Sequence, residues 1–261
     1  MEFSDEYANP LHYGQHLRVG SKEINDLVIP SSVTSIARFA FHAFSGLASV
    51  TIPSSVTTIE YRAFWGCGEL ASVTIQNGVT TIGESAFSNC GSLTTATIPN
   101  SVTSIKDGYN EGGFYYGAFS GCERLASVTI PNSVTNIGTG TFWKCSALTS
   151  VAIPSSVTTI GEMAFFGCSG LTSIAIPNSV TSLEASAFRG CNGLTTVTIP
   201  NSVTKIGWNV FEDCTGLTSV TIGENVTSIG GLAFQNCSGL TSVTIPNRVK
   251  IIREQAFSGC I

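Results

Sequence analysis

The stretch Leu171-Thr172-Ser173-Ile174-Ala175-Ile176-Pro177-Asn178-Ser179-Val180-Thr181-Ser182-Leu183-Glu184-Ala185-Ser186-Ala187-Phe188-Arg189-Gly190-Cys191-Asn192-Gly193 decides the fold. Leu171, Ile174 and Ile176 are apolar, and Ser173 and Ala175 alternate with them, which is the period-2 signature of a short half-buried strand. Pro177 removes the next ladder donor, and Asn178-Ser179 favours a turn. Val180 and Leu183 return to the core on a second, shorter extended segment. Ala187, Phe188 and Cys191 follow at spacings of one and three, which predicts one tight 3-10 or helical turn. Twenty-three residues cannot bury this set alone, so the segment needs neighbours.

The rest of the chain supplies them. The nine cysteines are Cys67, Cys90, Cys122, Cys145, Cys168, Cys191, Cys214, Cys237 and Cys260, at successive differences of 23, 32, 23, 23, 23, 23, 23 and 23. Leu47, Leu70, Leu93, Leu125, Leu148, Leu171, Leu194, Leu217 and Leu240 repeat the same differences. A fixed period of this size means a solenoid. The register extends one coil upstream, where Ile24, Leu27 and Ile29 match Leu47, Val50 and Ile52, and Phe44 stands where later repeats carry Cys. Ten coils are therefore predicted, starting at 24, 47, 70, 93, 125, 148, 171, 194, 217 and 240. Their parallel strands stack about 4.8 Å apart over one continuous core.

Composition excludes several classes. Only 11% of the 261 residues are charged, against roughly 25% in an average globular protein. Lys and Arg total 12, Asp and Glu 17, and the formal net charge is −5. Twelve scattered cations at a sequence pI near 5.2 do not make an electrostatic nucleic-acid binder. No segment approaches the roughly 18 uninterrupted apolar residues of a membrane span, so no membrane insertion is expected.

The pattern Leu-x-x-Ile-x-Ile-Pro-Asn-Ser-Val-x-x-Leu…Ala-Phe-x-x-Cys resembles the BspA-like, or Treponema-type, leucine-rich repeat over residues 24–261. The resemblance implies a right-handed leucine-rich-repeat solenoid, mainly parallel β with short 3-10 or helical turns. The usual Asn ladder after the strand is replaced by Ser32, Ser55, Ser101, Ser133, Ser156, Ser179 and Ser202, with Gly78, Asn225 and Arg248 as exceptions. It also implies a surface-exposed scaffold, often secreted or anchored, in microbes that live on hosts.

Residues 1–23 fall outside the repeat. Gly20-Ser21-Lys22 between two polar extended runs predicts a β-hairpin, and a polar hairpin suits an N-terminal cap over the open end of a solenoid. Met1-Glu2-Phe3 carries no signal-peptide pattern, and Cys260-Ile261 stops in the last positions of a coil. The chain reads as truncated at the C-terminus, with its last strand, Leu240 to Ile245, and the residues Ile251, Phe257 and Ile261 partly uncovered. End-to-end self-association is one expected consequence.

Little in the chain carries catalytic chemistry. One Cys per coil makes a linear ladder of buried thiols, whose parallel Cα–Cβ vectors suit neither disulfides nor a converging zinc site. His12, His16 and His42 are all N-terminal, and His12 to His16 lacks the Glu of a zinc-protease motif. Asp107, Asn110 and Glu111 miss the EF-hand spacing, because Tyr109 stands where an Asp or Asn belongs. No phosphate-binding loop, dinucleotide fingerprint or paired carboxylates occur. The chain is expected not to be an enzyme and to use no cofactor or metal.

Two surfaces remain. The outward strand positions, such as Ser127, Thr129, Ser150, Ser173, Thr196 and Thr198, form two columns of small, mostly hydroxyl side chains, which a repetitive half-exposed sheet would produce in any case; the functional reading is a weakly polar platform for a protein, a glycan or ice. The fourth coil is 32 residues and carries an insertion at 106–117. Solenoid insertions form loops, often on the binding face. Tyr109, Phe114, Tyr115 and Tyr116 lie on it, and Trp143 and Phe166 occupy the position after the core Phe in the next two coils. If the loop folds toward coil five, these six rings form one aromatic ligand-binding patch, while Trp65 and Trp208 lie farther away. The competing reading is that these rings only pack onto the scaffold. The function expected is non-catalytic binding of a protein or glycan ligand, such as host extracellular matrix, in adhesion at the cell surface or after secretion. The alternative is a structural spacer within a larger surface protein.

Overall fold

The computed structural model describes residues 18–19 and 22–260, with side chains from Ile24 onward; His12, His16 and Ile261 lie outside these. Arg18–Val19 pairs antiparallel with Lys22–Glu23. From there the chain winds as a β-solenoid of ten coils. The first extended segment of nine coils, from Asp26–Val28 through Ser173–Ala175 to Ser219–Ile222, forms a nine-stranded parallel sheet. Its register is that of the repeat: Ser150 pairs with Ser173, and Ser173 with Thr196. Alternation follows the pleat, with Val197 and Ile199 inward and Thr196 and Thr198 outward. In the tenth coil no strand forms at Ser242–Thr244. Val243 and Ile245 are only half-buried there, because no further described coil covers their outer side.

The second extended segments make a four-stranded parallel sheet, Ser35–Ile36 to Ser104–Ile105, and a six-stranded one, Asn136–Ile137 to Ile251–Ile252. The break falls where the insertion leaves the fourth coil. Asp107 and Gly108 keep the two parts in contact, the Gly108 N–H donating to the Thr139 carbonyl at 3.0 Å.

The third side contains no helix among the described residues. Its N–H groups alternate between two kinds of partner. In coil seven, Ala187, Arg189 and Cys191 donate to carbonyls three residues back, as in a 3-10 turn. Ser186, Phe188 and Gly190 donate instead to Trp208, Val210 and Glu212 of the next coil, at 2.8–2.9 Å. This alternation needs left-handed backbone twice per coil, at Ser186 (φ 57°) and Gly190 (φ 72°). The expected helical turn is therefore a ladder of turns, because left-handed residues stop any helix from propagating.

The core is one stack. Ten phenylalanines, Phe41, Phe64, Phe87, Phe119, Phe142, Phe165, Phe188, Phe211, Phe234 and Phe257, lie ring on ring with successive centroids 5.0–5.8 Å apart. Each cysteine thiol donates to the carbonyl of the Phe one coil back, as Cys168 does to Phe142 at 3.2 Å. All nine are free, and all but the half-buried Cys260 are buried. Most of the serine row works the same way: Ser101 Oγ donates to the Val79 carbonyl at 2.7 Å and Ser156 Oγ to Val134 at 2.6 Å, whereas the buried Ser179 Oγ finds no partner among the described residues. Gly78 interrupts the row because a Cβ there would lie 1.9 Å from the Ser54 carbonyl oxygen.

Candidate functional site: an aromatic ridge

The insertion folds as a hairpin, Tyr109–Glu111 against Phe114–Tyr116, with Gly112 and Gly113 in the turn at φ 61° and 86°. Pairing puts Tyr109 opposite Tyr116, Asn110 opposite Tyr115, and Glu111 opposite Phe114. Strand alternation then divides the aromatics between two faces. Tyr109, Phe114 and Tyr116 share one face, and Tyr115 is on the other.

Tyr115 points down onto coils five and six. It is 8% exposed, its hydroxyl donates to Glu162 Oε1 at 2.8 Å, and its Cβ lies 2.9 Å from where a Cβ on Gly140 would stand. Burial, with the Glu162 hydrogen bond second, raises its phenol pKa. On the other face, Tyr109 and Tyr116 stack at 5.1 Å. Phe114, 50% exposed, meets Trp143 edge-on at 5.9 Å, and Trp143 stacks on Phe166 at 6.1 Å. Trp143 itself is only 8% exposed, with the Lys144 ammonium 4.4 Å from its centroid. Of the six residues singled out, the structure thus brings five into one connected row and turns Tyr115 beneath it.

Sequence reasoning missed the other half of the ridge. The hairpin also reaches back to coil two, where Arg62 lies 5.2–5.7 Å from the rings of Tyr61, Trp65, Tyr109 and Tyr116 and pairs with Glu111 at 3.7 Å. Four rings around one guanidinium form a cation–π cage. Trp65, judged distant, joins the ridge through Arg62 and stacks on His42 at 4.7 Å. Tyr61 meets Phe39 edge-on at 5.2 Å. Arg62 Nε and Trp65 Nε1 are buried and find no hydrogen-bond partner among the described residues. The signal was available in the repeat register, since Tyr61 occupies the same coil position as Tyr116. The same alignment puts Trp208 four coils beyond Tyr116, off the ridge.

Among the described residues, no three His, Cys, Asp or Glu side chains gather as metal ligands.

The model of the BspA type leucine rich repeat region matches residues 19–148, 113–214 and 137–261 in overlapping stretches. The chain belongs to this family. Its BspA-type repeats are similar in fold to three crystal structures. A leucine-rich repeat protein from Bacteroides ovatus shares 26% identity with a TM-score of 0.66, over 91% of this chain and 77% of that one. A leucine rich cell surface protein from Faecalibacterium prausnitzii shares 30% identity with a TM-score of 0.53, over 91% and 79%. The leucine-rich repeat protein of T. pallidum, at 23% identity and a TM-score of 0.52 over 84% of both chains, is alike in fold. No curated protein matches the chain. Among the described residues no helix is long and apolar enough to cross a membrane.

Proposed function

We propose that this BspA-type solenoid is a non-catalytic binding scaffold at the cell surface or outside the cell, and that the aromatic ridge holds its partner in adhesion. The observation that carries the reading is Phe114. It is a large apolar ring, 50% exposed, on the crest of the one insertion and backed by Trp143 and Phe166. Exposed aromatics seated on a rigid aromatic floor are what binding hot spots are made of. The Faecalibacterium relative, a cell surface protein by name, supports the location. Proteins of host matrix and a panel of glycans are the ligands to screen. Phe114→Ala combined with Phe166→Ala is expected to lower capture at least tenfold while the melting temperature stays within a few degrees. Equal capture by the double variant would overturn the ridge as the site. Absence of capture by the wild-type protein would favour the spacer reading.

A further inference from the structure

A second feature lies well away from the ridge, on the six-stranded side over coils seven to ten. There the corner residue after the strand is Glu184, Gly207, Gly230 and Arg253 in successive coils. The two glycines carry no side chain into the space between, and a groove of about 550 Å³ opens over them. Close coil approach enforces both glycines: a Cβ on Gly230 would lie 2.4 Å from the Gly207 carbonyl oxygen, and one on Gly207 2.8 Å from that of Leu183. Trp208 and Lys205 of coil eight line the groove, with Lys250 and Arg253 of coil ten.

Three properties of this groove point to a ligand. Trp208 is 41% exposed, the most exposed tryptophan of the described chain. Its six-membered ring lies over Gly231, where an added Cβ would meet Cζ3 at 2.5 Å, so the indole lies along the solenoid instead of standing out from it. Lys205, Lys250 and Arg253 are exposed and make no ion pair among the described residues, in a chain whose net charge is −5. Arg253 rests 5.8 Å from the Trp208 centroid, a cation–π contact. The remaining lining includes the hydroxyls of Ser182, Thr227 and Ser228, and Glu184 is the single acid.

We infer that this groove binds an acidic sugar, with a pyranose ring stacked on Trp208 and its carboxylate or sulfate held by Lys205, Lys250 and Arg253. The volume falls within the range of small-ligand sites, roughly 300–1,000 Å³. Guanidinium and ammonium groups supply charge-assisted hydrogen bonds to either anion. The C–H face of a sugar suits an indole, and lining hydroxyls suit its own hydroxyls. An acidic peptide is the less fitting occupant, because the sheet edge at the coil-ten end of the groove, Ile251–Ile252, is only two residues long and a glutamate chain offers no ring face to Trp208.

The test uses the whole chain with three probes: a galacturonate tetrasaccharide, a heparin-derived tetrasaccharide and a hexaglutamate peptide. Tryptophan fluorescence and titration calorimetry read binding at 50 and 300 mM salt. One or both sugars should bind with a change in tryptophan emission, and hexaglutamate at least tenfold more weakly. The binding sugar identifies the anion as carboxylate or sulfate. Trp208→Ala, and separately Lys205→Gln with Lys250→Gln, should each weaken sugar binding at least tenfold, while Phe114→Ala leaves it unchanged. Higher salt should weaken it as well. No sugar binding by folded protein, sugar binding that survives Trp208→Ala, or hexaglutamate binding as tight as either sugar would overturn the proposal. None of these outcomes touches the ridge, whose test rests on Phe114 and Phe166.

Discussion

Two residue positions carry the conformational cost of each coil. The left-handed site occupied by Gly190 holds Gly66, Gly121, Gly167 and Gly259 in other coils, but Asn89, Lys144, Asp213 and Asn236 as well. Space is not the constraint at Gly190, since an added Cβ would approach nothing nearer than 3.6 Å. Backbone strain is. Gly190→Val is therefore expected to cost about 1–2 kcal/mol, the price of forcing a β-branched residue into the left-handed region. Gly190→Asn should cost less, because Asn tolerates that region; urea unfolding of both variants measures the difference. The cysteines make a second residue-scale prediction. Burial pushes the thiols of Cys122, Cys168 and Cys237 up to about 12, from about 8.5 in an unfolded chain. Between those values the unfolded chain has released thiol protons that the folded chain keeps. The stabilisation is complete below about pH 8.5 and is lost as pH rises toward 12. The urea midpoint should fall steadily above pH 9, and native protein at pH 8 should react slowly with a thiol reagent that modifies all nine cysteines after unfolding.

At the scale of an element, the insertion hairpin works by its two faces. Tyr115 anchors it and Phe114 crowns it. Tyr115→Ala removes a buried ring and leaves the partly buried Glu162 without that partner, so a loss of about 3 kcal/mol is expected. Phe114→Ala removes an exposed ring and should change stability by no more than about 0.5 kcal/mol. Thermal melts of the two variants, read beside the capture assay, separate anchoring from binding. A Tyr115→Ala variant as stable as wild type would show that the hairpin is not held by this residue. Arg62 belongs to the same element-scale reasoning. It bridges hairpin and coil two, and its ion pair with the exposed Glu111 matters less than the four rings around it.

For the whole molecule, the insertion hairpin apart, each coil rests on its two neighbours, so damage is shared along the stack. Phe165 sits between Phe142 and Phe188 at 5.4 and 5.3 Å. Phe165→Ala is expected to cost about 3–5 kcal/mol, and amide exchange should quicken in coils five and seven as well as six. Exchange confined to coil six would contradict nearest-neighbour coupling. The tenth coil offers an internal contrast: amides of Ser242–Thr244, outside any ladder, should exchange faster than those of Ser219–Ile222.

The sequence by itself determined the coil count, the strand positions of the first nine coils and the Phe and Cys ladders, because each repeats a local pattern at one period and stacking demands identical neighbours, and it placed the insertion where that period breaks. It identified five of the ridge residues as well, Trp143 and Phe166 by their register and Tyr109, Phe114 and Tyr116 by the insertion that interrupts it. Where the hairpin faces was decided only in three dimensions. A two-sided hairpin presents Tyr115 to one surface and Tyr109, Phe114 and Tyr116 to the other, and no period says which surface lies beneath. Arg62 and Trp65 entered the ridge because the hairpin reaches back across coil three, a contact set by packing between residues 47 positions apart and more. The turn ladder on the third side was likewise a tertiary outcome, since its N–H groups choose the next coil over their own turn only when that coil is present to receive them.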